Sequence, residues 1–391
     1  MVGSQPVADG AAFDLAAELD QEYALTPYPR LIVKIGSSLL VDPSGEVRRD
    51  WLATLVADIA ERRVQGQQII IVSSGAIALG ARRLNLPKGG RASLEDAQAA
   101  AATGQIALSQ CWAELLGQCG ITAAQILVTL DDLEDRRRYL NAAATLNRLL
   151  SLGVVPVINE NDSVATAEIR FGDNDRLAAR IAQAAQAQGV ILLSDVDGLY
   201  TSDPSTASTA TRIPRVETIT AKVMAMAKRS TSSGMGSGGM ASKIEAARIA
   251  NAAGADLIIV SGKHDHPLTR LSREDCGTLF VADKAASARK AWLAGRLIVK
   301  GRVIIDAGAA RALTKGASLL AAGATAIEGK FKRGDVIDVV AVDGAPLARG
   351  LSEYDSADAA RIAGKRSDAL EAILGYAPRA ALIHRDQMVM L

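Results

Sequence analysis

The chain has 391 residues and a formal net charge of +1, so its charge gives no reason to expect a nucleic-acid or membrane-surface partner. That length exceeds one ordinary core and predicts two domains. Its residues are 49% hydrophobic but only 3% aromatic, so alanine and glycine must carry much of the packing. Residues 1–27 carry Asp9, Asp14, Glu18, Asp20 and Glu22 with no lysine or arginine, the wrong charge for a targeting peptide. They are expected to form a mobile or peripherally docked extension. From Arg30 onward, short apolar runs alternate with longer helical patterns: Leu31–Ile35, Ile69–Val72, Ile126–Val128, Val154–Ile158, Val190–Leu193 and Leu257–Val260. The intervals Trp51–Val64, Ser93–Leu116, Arg137–Leu150, Asp175–Ala187 and Ala241–Ala252 have helical periodicity. This alternation predicts an α/β domain over residues 28–284, a mostly parallel sheet sandwiched by helices.

After Ala285 the pattern changes. Short β-type runs at Gly295–Val299, Arg302–Ile305, Ala324–Glu328, Val336–Val340 and Ala380–Ile383 are separated by Gly-Asp and Asp-Gly turns. Residues 285–391 therefore form a linker and a small, largely β domain, with 16 Lys/Arg against 11 Asp/Glu, a local excess of five positive charges. A solvated basic face explains that excess as well as an RNA surface does. Cys111, Cys119 and Cys276 lack metal spacing and suggest reduced thiols, and His264, His266 and His384 are too scattered for zinc. No apolar segment is long enough to span a bilayer. A cytoplasmic protein is expected.

Three glycine motifs carry the chemistry. Lys34-Ile35-Gly36-Ser37-Ser38 ends the first strand, Ser73-Ser74-Gly75-Ala76 ends the second, and Gly234 to Lys243 opens a helix. Glycine lets backbone N–H groups approach an anion, and a helix N-terminus adds donors and a positive dipole. The Walker spacing is absent, and no dinucleotide fingerprint follows the first strand. Two acidic-amide clusters accompany these loops: Asn159-Glu160-Asn161-Asp162 after the fourth strand, and Gly172-Asp173-Asn174-Asp175 before a helix. Taken singly, such clusters could cap a helix or fill a polar loop. Together with two lysines and two anion cradles, they point to phosphoryl transfer between two anions, chemistry that is mostly positioning and charge neutralisation. A carboxylate acceptor is already a nucleophile at neutral pH and needs no histidine base.

These motifs resemble those of the glutamate 5-kinases, within the amino acid kinase family. The run from Pro156 to Glu168 is the most specific part, and the resemblance extends from Arg30 to the C-terminus. It implies ATP-dependent phosphorylation of the γ-carboxylate of L-glutamate to L-glutamyl 5-phosphate, the first step of proline biosynthesis. Lys34 and Lys243 would contact the transferring phosphates, and Asp175 would hold the lysines. Ser74, Gly75, Asp162 and Asn174 would bind the substrate. The nucleotide would meet Lys34, Gly36, Ser37, Ser194 and Asp195, then Ser237, Gly238, Gly239, Met240, Ala241, Ser242 and Lys243. Mg²⁺ would arrive on the ATP phosphates, with no protein ligand assigned. The C-terminal region resembles a PUA domain, an RNA-binding module elsewhere, and the family suggests a homo-oligomer inhibited by proline. Ser37, Ser73, Ser194 and Ser237 depart from the family's frequent threonine but keep the hydroxyl. The 27-residue extension matches nothing in the family pattern. N-acetylglutamate or aspartate as acceptor, and an RNA-binding regulator with an inactive kinase domain, are the competing readings.

Overall fold

The computed structural model describes residues 25, 28–42, 44–164, 174–204, 206–229, 239–274, 276–282, 299–379 and 381–391. Strands β1 (Arg30–Ile35), β2 (Gln68–Val72), β3 (Ala123–Val128), β4 (Val155–Glu160), β5 (Gly189–Ser194), β6 (Asp256–Ser261) and β7 (Thr278–Phe280) form one sheet in the order β3-β4-β2-β1-β5-β6-β7. The two-residue strand Arg215–Val216 closes its far edge. Pairing is parallel except between β6 and β7.

Period-2 alternation assigns each strand residue to one of two helical layers. Leu31, Val33 and Ile35 pack with α1 (Arg49–Val64), α2 (Ala76–Arg83) and α3 (Leu94–Gln118). Ile32 packs on the other side with α4 (Arg136–Ser151), α5 (Asn174–Ala185) and α6 (Met240–Ala252). Lys34 shares the parity of Ile32, so the sequence aims it at α5 and α6. The buried faces of those two helices are largely alanine, including Ala178, Ala182 and Ala185 on α5 and Ala246, Ala247 and Ala250 on α6. Small side chains let the helices lie close together, which brings their first turns side by side.

The five expected helices begin and end within two residues of their patterns, and α3 begins where Ser93 accepts a cap hydrogen bond from Asp96 N–H at 3.1 Å. The tightest contact in the domain is between α2 and α3. A Cβ on Gly80 would lie 1.7 Å from the Ala100 carbonyl oxygen, and one on Gly104 would lie 1.8 Å from that of Ala76. Only glycine fits either position. Leu25, inside the stretch expected to be mobile or peripherally docked, is buried in the core, and its carbonyl accepts from Gln67 Nε2 at 2.6 Å. The packed body therefore reaches back at least to Leu25.

The C-terminal domain has a five-stranded sheet ordered Ala324–Gly329, Gly301–Ile305, Val336–Ala341, Pro346–Leu351 and Met388–Met390. Its own core includes Val303, Ile305, Leu319, Val339 and Ile362. Two of its strands, Pro346–Leu351 and Met388–Met390, were not expected. Of the expected Ala380–Ile383 run, Ile383 makes only an isolated bridge to Leu319, and Ala380 lies outside the described residues. Most of the expected Gly295–Val299 strand also lies outside them. The domain meets α4 where Leu140 is buried with Val336, Leu351 and Val389. Beside that cluster, Arg333 Nη1 donates to Asn141 Oδ1 at 2.6 Å.

Gly104→Ala is expected to destabilise the protein by about 1–3 kcal/mol or more, because the new methyl meets backbone rather than a side chain that can swing away. Urea unfolding measures this, and an unchanged midpoint would show that α2 and α3 can separate at no cost.

Candidate active site

The motif residues among the described ones gather at the carboxyl ends of the parallel strands, where open α/β sheets bind ligands. Lys34 is the penultimate residue of β1, and Asp175 and Lys243 lie in the first turns of α5 and α6. Lys34 Nζ lies 2.6 Å from Asp175 Oδ1, and Lys243 Nζ lies 2.9 Å from Asp175 Oδ2. One carboxylate thus holds two ammonium groups, and all three side chains are buried. Burial pushes the Asp175 carboxyl up, but Lys34 and Lys243 outweigh it and hold the group below the usual carboxylate range. An aspartate is favourable at a helix start, whereas a lysine is not. Asp175 therefore compensates the cost of placing Lys243 against the dipole of α6. With two cations on one anion, the cluster carries a net positive charge suited to a polyphosphate.

Next to it lies an amide network. Asn174 Nδ2 is 2.8 Å from the Ser73 carbonyl, 2.8 Å from Ser74 Oγ and 3.0 Å from Asn159 Oδ1. Ser73 is fixed in turn by Trp112 Nε1, which donates to its hydroxyl at 3.0 Å. Gly75 has φ +96°, a left-handed conformation open to glycine, and turns the chain from β2 into α2. Asn174 Oδ1 and Asp162 Oδ1 are buried without hydrogen-bond partners among the described residues. Burial pushes the Asp162 carboxyl up to about 6, against a downward pull from Arg91. Asp162 also lines a cavity of about 200 Å³ with Ala76, Gln105, Gln125, Glu160 and Ser163. Two unpaired oxygen acceptors are what an ammonium ligand requires.

On the other side of β1, Gly36 N–H donates to Leu193 O at 3.1 Å, and Ser194 Oγ donates to Asp195 Oδ1 at 3.1 Å. Gly239, at the N-terminus of α6, makes no side-chain cap hydrogen bond, and helix starts of this kind are anion-binding positions. Ser37, Met240, Ala241 and Ser242 stand at these same loop and helix starts. Ser237, Gly238, Gly172 and Asp173 lie outside the described residues. The structure thus brings Lys34, Ser74, Gly75, Asp162, Asn174, Asp175 and Lys243 around the ends of β1, β2 and β4. Asn159 belonged to a noted cluster but had no assigned role. Gln105 was missed, because one glutamine in an alanine-rich helix gives no local signal.

The amino acid kinase family model matches residues 29–261, more than half of the chain. The chain belongs to the amino acid kinase family. Residues 301–374 match the PUA domain. The chain is 70% identical to the glutamate 5-kinase of Sphingopyxis alaskensis over 93% of this chain and 98% of that protein. It is 67% identical to the glutamate 5-kinase of Zymomonas mobilis, covering 93% and 91% of the two chains. Its identity to that of Novosphingobium aromaticivorans is 60% over 96% and 99%. Within the amino acid kinase family, the chain groups with these glutamate 5-kinases, and kinase membership carries ATP use with it.

Asp175→Ala should remove the carboxylate that both buried ammonium groups contact. Breaking a buried pair in this way costs about 3–5 kcal/mol. Chemical denaturation at neutral pH measures the loss. Stability within 1 kcal/mol of wild type would mean that the lysines find other partners or leave the interior.

Proposed function

We propose that the chain phosphorylates the γ-carboxylate of L-glutamate with ATP, giving L-glutamyl 5-phosphate for proline biosynthesis. The observation that carries this reading is the Lys34–Asp175–Lys243 cluster beside two buried, unpaired oxygen acceptors. The acceptor carboxylate oxygen attacks the γ-phosphorus, the bond to the β–γ bridging oxygen breaks, and ADP leaves with that electron pair. No proton has to move, so no general base is needed. The main obstacle is repulsion between two anions, and the two lysines offset it where negative charge accumulates.

Asp162 and Asn174 Oδ1 take the α-ammonium, and backbone donors near Gly75 take the α-carboxylate. Ser74 borders the same space through its bond to Asn174. Gly36, Ser37, Ser194, Asp195 and the start of α6 hold the nucleotide. Mg²⁺ would be held by the ATP phosphates rather than by a protein ligand and would supply further charge neutralisation, which the lysine-dominated cluster suits. Proline, another five-carbon amino acid with a cationic nitrogen, competes for the ammonium site. The reading includes a homo-oligomer in the cytoplasm, and no helix of the described residues is long and apolar enough to cross a membrane. The match of residues 301–374 to the PUA domain is what supports an RNA contact there.

ADP release measured with glutamate, aspartate and N-acetylglutamate tests the assignment. Glutamate should be preferred, hydroxylamine should trap a γ-hydroxamate, and the untrapped product should cyclise to 5-oxoproline. Release with N-acetylglutamate or aspartate but not glutamate would reject it. Lys34→Ala and Lys243→Ala should each lower kcat by about 10²–10³, the scale of one oriented charge in the transition state. Near-normal turnover would remove that lysine from the chemistry.

The pH dependence follows from Asp162. Its carboxyl is pushed up to about 6 and must be ionised to grip an ammonium. The KM for glutamate should therefore rise as pH falls through about 6, with the KM for ATP unaffected. Asp162→Asn should raise the glutamate KM and flatten this dependence. A glutamate KM in the variant that still climbs below pH 6 would place the titrating group elsewhere.

A further inference from the structure

The amides beside the site form a chain whose orientation is forced from both ends. Glu160 N–H lies 2.9 Å from one terminal atom of Asn159. A backbone N–H can only donate, so that atom is Oδ1. The other terminal atom is then Nδ2, which donates to Gln105 Oε1 at 2.7 Å. At the far end, the Ser73 carbonyl can only accept, so the Asn174 atom 2.8 Å away is Nδ2. That same nitrogen reaches Asn159 Oδ1 at 3.0 Å. Neither asparagine can flip without breaking a bond to backbone, and a flipped Gln105 would set its Nε2 against the Asn159 Nδ2 donor. The atom left over is Asn174 Oδ1, buried without a partner among the described residues.

We infer that Gln105 is a positioning residue for the amino-acid substrate, acting through Asn159 to hold Asn174 with its carbonyl oxygen free for the ligand. This rests on the function proposed above. Gln105 is well placed for the task. Its neighbour Gly104 lies directly against the Ala76 carbonyl, a close approach that sets how near the helix stands to the site. Its own Nε2 donates to Ser109 Oγ at 3.1 Å, and the Ser109 hydroxyl reaches Gln125 Oε1 at 2.8 Å. The acceptor is thus held from behind. Without Gln105 Oε1, the buried Asn159 amide nitrogen keeps no acceptor unless the side chain turns, and turning releases Asn174. Gln105 also lines the cavity that contains Asp162, so the amino-acid side of the site should be affected and the nucleotide side spared.

The test is a double-mutant cycle on the full-length enzyme. Gln105→Met keeps the length of the side chain and removes the acceptor. It should raise the KM for glutamate about tenfold, the scale of one unsatisfied buried donor, and change kcat and the KM for ATP less than threefold. In an Asn159→Ala background the same substitution should add nothing, because the group it acts through is gone. An additive effect in that background would overturn the inference. So would a KM for glutamate that stays at the wild-type value while the melting temperature drops, since that would make Gln105 a packing residue only. Should Gln105→Met fail to fold, Gln105→Asn, which withdraws the acceptor by one methylene, is read in the same way. Wild-type enzyme that releases no ADP with glutamate would fail the function reading instead, and the cycle would then be read with the acceptor it does use.

Discussion

The site depends on one carboxylate with two ammonium partners. Lys34 and Lys243 come from strands and helices far apart in sequence, and without Asp175 their charges would repel in a buried space. The sheet does the first part of the work, since alternation along β1 turns Lys34 to the layer that contains α5 and α6. Alanine does the second, because the small faces of α5 and α6 let their first turns meet. Asp175 then fixes both lysines in the place where a transferring phosphoryl group needs cations. A site that must neutralise two anions has to be built before either arrives, and the carboxylate keeps it built.

Much of this was legible in the sequence. The strand–helix alternation gave the parallel sheet because each strand is a short apolar run and each helix is long and periodic. Lys34, Asp175 and Lys243 stood out because glycine and carboxamide residues beside a lysine have no use in ordinary packing. What was hidden depended on contacts between distant segments. Gln105 touches Asn159 across 54 positions, and neither residue's neighbours announce the other. The Gly80–Gly104 crossing looked like two isolated helical glycines. Strand Pro346–Leu351 was missed because its proline and glycine weaken the β signal. Ala380–Ile383 was expected as a strand from its apolar run, yet only Ile383 finds a bridge.

The C-terminal domain is not remote from this machinery. Leu140 on α4 is buried against Val336, Leu351 and Val389, and the preceding Tyr139 donates its hydroxyl to the Gln183 carbonyl on α5 at 3.3 Å. The same α5 begins with Asn174 and Asp175. Neighbouring residues of one helix thus face the added domain and the catalytic layer. Cutting the chain after the kinase motifs would leave Leu140 without its apolar neighbours, even though every residue assigned to the chemistry would remain.

The two buried aspartates of the site show how burial alone decides nothing. Asp175 and Asp162 are both removed from water, and desolvation pushes both carboxyls up. Asp175 ends low because two lysines stand on it, so its charge is permanent and structural. Asp162 ends high, near 6, because among the described residues the pull of Arg91 does not offset its desolvation. Its charge is poorly compensated until a cation arrives, and an α-ammonium would be that cation. Under the proposed function, binding the amino acid would supply the missing partner and stabilise the ionised form. The difference between a scaffold carboxylate and a ligand-sensing one is the number of built-in cations beside it.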